Sequence, residues 1–315
     1  MRSFSTLRVL VIGDLMLDHW VWGSVSRISP EAPVPVVDVE RYSYTPGGAA
    51  NVVSNLCALG SRVSLLGVVG LDDSARKLRG LLNRQGVDVS GLIPDRTRPT
   101  SLKTRIIAHS QQVVRADFEQ RAPLRDPPLK KMRRWLAGAG CFDAVMLSDY
   151  DKGLFRTPGI EELLSELRDR PRIAGPKPEN LDRFAGMDLI TLNAREAAAA
   201  SGLDTAREEG VLEAGRALRQ RLGGRGAVLI TRGEHGMSLF EEGEPRTVPA
   251  LATQVFDVSG AGDTVLTVAG LCLAAGASLD DAIVLASHAA AVVVRKIGTA
   301  VATPAEVVRS LGKRS

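Results

Sequence analysis

Asp263 has the setting that most invites chemistry. It closes the run Phe256-Asp257-Val258-Ser259-Gly260-Ala261-Gly262-Asp263-Thr264, which opens a long apolar stretch. Two glycines flanking an alanine let the backbone N–H groups of Gly260, Ala261 and Gly262 point at one spot, and a helix start adds unpaired donors and the positive end of its dipole. Negative charge on a transferring phosphoryl group is stabilised in such a place. A carboxylate on the first turn can then accept a proton from a hydroxyl lying between it and the anion hole. The plainer reading is a helix cap built from Ser259 and Asp263, and spacing alone does not separate the two.

Two further groups fit the acceptor side of such a reaction. Pro46-Gly47-Gly48-Ala49-Ala50-Asn51 reads as a Gly-rich turn before a helix, where a ligand can approach the backbone closely, and Asn51 offers both a donor and an acceptor to a sugar hydroxyl. Asp14 and Asp18 bracket the end of the first strand-like run, at the carboxyl edge where open α/β sheets bind ligands. An ordinary glycine N-cap turn and solvated loop carboxylates are the alternatives.

The elements that must position these residues follow from periodicity. Apolar, β-branched runs at 8–13, 62–69, 144–148, 172–174, 188–192 and 227–231 alternate with helical-period segments at 49–59, 74–85, 127–137, 157–168 and 208–222. Strand then helix, repeated, predicts a mostly parallel sheet with helices on both faces, because each parallel pair needs a crossover long enough to hold a helix. After Thr231 come short strands at 237–240 and 246–248, then long helices at 261–275 and 279–294. Residues 20–42 and 101–118 break the alternation. Pro30, Pro33 and Pro35 exclude a helix interior from the first and favour an extended edge, while the second reads as a hairpin broken at His109-Ser110. The expectation is one domain over residues 1–315 with a small β-sheet lid from segments of about 17–42 and 99–118, usable also as a dimer surface.

Composition narrows the class. The 315 residues are 44% hydrophobic, enough for a large core. The net charge of +4 comes from interleaved Arg, Lys, Asp and Glu with no basic block, which suits anionic small molecules and argues against a nucleic-acid partner. Cys57, Cys141 and Cys272 match no metal-ligand spacing and read as small core residues of a reducing cytoplasm. No signal-peptide run precedes the first strand, and the apolar stretch 282–294 is broken by Ser287 and His288, which favours a buried helix over a membrane span. His288 itself reads as a helix residue with a satisfied ring nitrogen.

These motifs together resemble the PfkB (ribokinase-like) carbohydrate kinases, and within them the heptose-7-phosphate kinases that form the first half of bifunctional ADP-heptose synthesis enzymes. The resemblance spans nearly the whole chain. It rests on Val11-Ile12-Gly13-Asp14-Leu15-Met16-Leu17-Asp18, the 47–51 turn, Gln111-Gln112, Leu147-Ser148-Asp149-Tyr150, the 257–264 run and Lys296-Ile297-Gly298-Thr299. Ser26-Arg27-Ile28-Ser29-Pro30-Glu31-Ala32-Pro33-Val34-Pro35-Val36 is the part typical of the heptose subgroup.

The resemblance implies ATP with Mg²⁺, a lid that also forms a dimer contact, and roles for individual residues. Asp263 corresponds to the base and Gly260, Ala261 and Gly262 to the anion hole. Asp14, Gly47, Gly48 and Asn51 match sugar contacts, joined on the acceptor side by Asp18. Asn193 and Glu196 match an N-x-x-E pattern near the Mg²⁺ and phosphates, with Glu196 reaching the metal through water. Thr231, Arg232 and Gly233 match a nucleotide-side loop, to which Asp257 and Ser287 are added. An acceptor already carrying a phosphate needs cations away from the reacting end, and Lys103, Arg105, Arg115 and Lys177 are the candidates. Three positions depart from the pattern: Gly175 before Pro176-Lys177 replaces an aspartate, Ser287 an asparagine, and Arg295 a small residue. The chain ends soon after Pro304, so the expectation is a separate nucleotidylyltransferase for the next step. The competing readings are another PfkB kinase with a different sugar, and a catalytically silent sugar-binding protein on the same fold, against which an intact Gly260–Asp263 turn argues.

Overall fold

Strands whose side chains alternate between two apolar surroundings must lie inside a layered molecule, and the first strand shows it. In the computed structural model, which describes residues 2–109, 111–252 and 254–312, Val9 and Val11 pack into one hydrophobic core and Leu10 and Ile12 into another. All four side chains are buried. Such a strand has no polar face, as expected of a parallel sheet covered on both sides.

In chain order the elements are β1 (Arg8–Gly13), β2 (Leu15–Ile28), β3 (Pro35–Gly48), α1 (Ala49–Ala58), β4 (Arg62–Val69), α2 (Asp73–Arg84), β5 (Leu92–Pro94), β6 (Ser101–Ala108) and β7 (Gln111–Phe118). There follow α3 (Asp126–Gly138), β8 (Ala144–Ser148), α4 (Ile160–Ser165), β9 (Arg172–Gly175), β10 (Leu189–Asn193), α5 (Ala194–Ser201), α6 (Glu208–Arg221) and β11 (Ala227–Thr231). The chain continues through β12 (Met237–Phe240), β13 (Arg246–Val248), α7 (Ala261–Ala274), α8 (Leu279–Val293) and α9 (Pro304–Gly312). The main sheet has the order β13-β12-β11-β10-β9-β8-β1-β4-β5 and is parallel from β11 to β5, with β12 and β13 antiparallel at one edge. Helices α1, α2, α7 and α8 supply the core on one face, and α3 to α6 the core on the other.

A second sheet, β3-β2-β6-β7, carries the lid. Pro30 and Pro33 sit in the turn between β2 and β3, closed by Ser29 N–H donating to the Val34 carbonyl at 2.8 Å, and Pro35 opens an edge strand. The lid strands extend further toward the main sheet than the segment 17–42 expected from sequence. Ser110, part of the expected hairpin break, lies outside the described residues.

Other differences have local causes. The helix expected over 157–168 is only Ile160–Ser165, because Pro158 and the left-handed Gly159 (φ 84°) delay its start. Helices α5 and α9 and strand β5 lacked a strong periodic signal. Cys272 is buried and Cys57 half-buried, but Cys141 is exposed, contrary to its reading as a core residue. Among the described residues no helix is long and apolar enough to cross a membrane.

Candidate active site

The carboxyl ends of β1, β8, β9, β10 and β11 converge, and the first turn of α7 meets them. A cavity of about 200 Å³ there is lined by Ser148, Asp149 and Tyr150 after β8, Gly175 and Lys177 at β9, Asn193 and Glu196 at β10 and α5, Thr231, and Gly260, Gly262 and Asp263. Ligands of open parallel sheets bind in this place because the loops after successive strands diverge and leave a crevice.

Asp263 is fixed from two sides. Asn51 Nδ2 donates to its Oδ2 at 2.7 Å, and Tyr150 Oη reaches Oδ1 and Oδ2 at 2.9 and 3.0 Å. Thr264 Oγ1 donates to Asn55 Oδ1 at 2.8 Å, holding α1 against α7 so that Asn51 faces the carboxylate. Burial pushes the Asp263 carboxyl up to about 6, while the Asn51 and Tyr150 bonds oppose the rise. A carboxylate in that range suits proton abstraction near neutral pH. Asn51 is fully buried, and its Oδ1 has no partner among the described residues. An orphaned buried acceptor beside a base is a place where a hydroxyl would gain a bond.

Gly260 caps α7 in the left-handed region (φ 81°), and a Cβ there would lie 2.7 Å from Asn51 Nδ2. The backbone N–H groups of Gly260 and Gly262 have no acceptor among the described residues, whereas that of Ala261 donates to the Val258 carbonyl at 3.2 Å. Ala261 is therefore removed from the expected trio of anion-hole donors by its own turn. Asp263, third in the helix, has an equally unpaired N–H and is a better third donor.

On the acceptor side, Asp14 Oδ2 accepts from the backbone N–H groups of Tyr150 and Lys152 at 2.9 and 3.0 Å. Burial and the neighbouring Asp149 charge push its carboxyl up to about 7. Gly47 and Gly48 are not a free turn but the last residues of β3, paired with Met16 and Leu15. Gly48 has φ 59°, which lets Ala49 N–H turn to the Asp14 carbonyl at 3.0 Å and start α1 without an intervening loop. Asp18 is buried and its carboxyl is raised by burial, with Arg105 Nη1 at 2.5 Å from Oδ1 opposing the rise.

The expected cations separate. Arg105 faces Asp18 and lies over the Trp20 ring at 4.6 Å. Lys103 is buried and committed to Asp117 and Glu119 at 2.9 and 3.2 Å. Arg115 is half-exposed and pairs with Asp117 at 3.0 Å. Lys177, expected to stand away from Asp263, lines the same cavity and pairs with Glu196. Lys152, missed from sequence, pairs with Glu119 at 2.8 Å and ties the lid to the loop after β8.

Asn193 and Glu196 form a capping box on α5: Asn193 Oδ1 accepts from Glu196 N–H and Glu196 Oε2 from Asn193 N–H, each at 2.9 Å. Both still line the cavity. Of the 231–233 loop only Thr231 does so, since Arg232 turns its guanidinium to Ser238 and Glu208 and Gly233 is exposed outside it. Asp257 is a staple, with Oδ1 accepting from Ser259 N–H at 2.8 Å and Oδ2 from Gly298 N–H at 2.9 Å. Ser287 is buried and donates to the Pro249 carbonyl at 3.4 Å, apart from the cavity. His288 bonds Ser310 Oγ through Nδ1 at 2.8 Å. At Gly175 a Cβ would meet nothing nearer than Thr191 Oγ1 at 3.5 Å, with the Leu266 methyls at 3.8 and 3.9 Å, so the missing side chain leaves room rather than relieving a clash.

A helix start with unpaired amides, a raised carboxylate and a β-sheet lid define a phosphoryl-transfer fold, and the sequence profile described as pfkB family carbohydrate kinase matches residues 6–306. The chain belongs to this family. It is 45% identical over 311 residues to the bifunctional protein HldE of Pelobacter propionicus and 43% identical over 310 to that of Geobacter sulfurreducens. Each match covers 97% of this chain and 63% of the relative, so the chain spans less than two thirds of the curated relatives' length. Among solved structures, Arabidopsis thaliana ribokinase complexed with ribose and ATP superposes with a TM-score of 0.74 at 19% identity, covering 97% of this chain and 98% of that one. Phosphofructokinase-2 from Escherichia coli does so with a TM-score of 0.82 at 16% identity, covering 98% and 99%.

Proposed function

We propose that this protein transfers the γ-phosphate of ATP to the anomeric hydroxyl of D-glycero-D-manno-heptose 7-phosphate, giving the 1,7-bisphosphate as a precursor of ADP-heptose. The observation that carries the reading is the placing of the Asp263 carboxylate, in one cavity with the unpaired Gly260 and Gly262 amides. Asp263 takes the hydroxyl proton, the freed oxygen bonds the γ-phosphorus, and the bond to the ADP oxygen breaks. The amides meet charge as it grows on the phosphoryl oxygens. An anomeric hydroxyl is more acidic than an ordinary alcohol, so a carboxylate held within hydrogen-bond reach suffices.

The ATP of the Arabidopsis ribokinase structure and the HldE relatives support the choice of donor and sugar. Asp14, Asp18, Gly47, Gly48 and Asn51 hold the sugar, and Arg105 is the best-placed cation for its distal phosphate. Lys177, Asn193, Glu196 and Thr231 lie toward the nucleotide phosphates. Among the described residues no group of three or more His, Cys, Asp or Glu side chains could cage a metal. This fits Mg²⁺ carried in on phosphate oxygens, with Glu196 reaching it through water. Bound there, the ion would neutralise phosphate charge.

We also assign the lid's outer face to a homodimer contact and the reaction to the cytoplasm. A panel of sugars and sugar phosphates with ATP and Mg²⁺, the phosphorylated carbon located by NMR, tests the reading. Phosphate on carbon one of heptose 7-phosphate is expected; activity confined to an unphosphorylated sugar would replace the substrate with another of the family. Asp263→Asn is expected to lower kcat by about 10²–10⁴ and to leave ATP affinity by calorimetry within about threefold.

A further inference from the structure

The base is already engaged. The Tyr150 phenol bonds both oxygens of Asp263 while Asn51 holds Oδ2. An acceptor alcohol that is to take the phenol's place at this carboxylate has to displace it first. Tyr150 lines the cavity, so a turn of its side chain alone would uncover the carboxylate. Its backbone N–H hangs on Asp14 Oδ2, so a sugar bound at Asp14 acts on the residue whose side chain covers the base. Lys177 Nζ lies 5.1 Å from the centre of the phenol ring and lines the same cavity.

We infer that Tyr150 is a positioning residue standing in for the acceptor hydroxyl: without sugar its phenol holds Asp263 and keeps that base from activating water against ATP. The inference rests on the reading of Asp263 as base given above. The reaction suppressed is hydrolysis. A water oxygen bonds the γ-phosphorus, the bond to the ADP oxygen breaks, and the water proton passes to Asp263 and on to solvent, leaving ADP and phosphate. The sugar replaces the phenol with its own hydroxyl at the same carboxylate, so the base is released only when the correct acceptor covers it.

Tyr150→Phe keeps the ring and removes the bond. ATP hydrolysis without sugar, read as ADP release, is expected to rise at least about tenfold relative to wild type and to return to the wild-type level in Tyr150→Phe/Asp263→Asn. The acid limb of kcat/KM for sugar phosphorylation is expected to move to higher pH, because Asp263 loses a bond that stabilises its charged form. Hydrolysis that stays low in Tyr150→Phe, or that rises and persists in the double variant, overturns the gate. An independent reading uses the unmutated site: the chain has three tyrosines, Tyr42, Tyr44 and Tyr150. With fluorotyrosine incorporated, the resonance left after assigning Tyr42→Phe and Tyr44→Phe is expected to shift when heptose 7-phosphate is added without nucleotide, and an unmoved resonance overturns the displacement. The two readings fail separately. Wild-type protein that phosphorylates no heptose 7-phosphate overturns the proposed substrate, whereas active wild type with no gain of hydrolysis in Tyr150→Phe overturns the gate.

Discussion

Among the buried carboxyls that hold their protons more tightly than aspartates in water, Asp263 and Asp14 each have a measurable consequence. With Asp263 at about 6, the base is protonated and idle in acid. We expect kcat/KM to fall as pH drops through about 6 and to level above it, a limb absent from the residual activity of Asp263→Asn. Asp14 at about 7 stands above its ordinary value of 3.8, so the folded state keeps a proton that the unfolded chain has released. Its contribution to stability is greatest below the ordinary value and is lost as pH rises through about 7. Asp14→Asn preserves an oxygen for the Tyr150 and Lys152 amides and removes the charge. Chemical denaturation should find the variant more stable by about 1–3 kcal/mol at about pH 8, the gain shrinking toward about pH 4, while sugar affinity falls.

The start of α7 has to satisfy two demands at once, a left-handed cap and space for Asn51. Gly260→Ala violates both. The backbone strain costs about 1–2 kcal/mol, and the new Cβ pushes Asn51 away from Asp263. A lowered Tm together with a kcat reduced by about tenfold or more is expected; a variant with normal kcat would mean that Asn51 does not matter to the base. The same turn is tied to the lid through side chains far apart in sequence. Asp257 binds Gly298, and Thr299 Oγ1 meets Thr45 Oγ1 of β3 at 3.1 Å, which links β3 of the lid to the turn before the cap.

At the scale of the molecule, the lid has two unlike faces. Pairing register puts Asp18, Trp20, Lys103, Arg105, Arg115 and Asp117 on one, and Val39, Tyr42, Val114 and Phe118 on the other. Tyr42 and Phe118 are each 65% exposed on the outer face. These exposed apolar side chains are the ones the proposed homodimer contact would cover. If it joins two copies, Phe118→Glu should halve the mass measured by light scattering and raise KM for the sugar, since each lid would lose its support; an unchanged dimer would move the interface elsewhere.

Much of the fold was legible because its causes are local. Aliphatic, β-branched runs broken by helical-period segments identify the parallel strands, prolines mark the lid turn, and the 257–264 run announces its own helix start. The capping box at Asn193 and Glu196 was equally local, yet its structural role was read only as a functional pattern. Contacts set by how distant elements pack were not legible. Tyr150 and Asn51 reach Asp263 across 113 and 212 residues of chain, and no spacing rule covers such pairs. Sequence by itself determined the backbone devices, since turn, strand and helix starts depend on neighbouring residues. Which carboxylate a phenol covers, which lysine lines the cavity with Asp263 and which arginine holds Asp18 were decided by tertiary structure, because sheet register and helix docking fix the direction of each side chain.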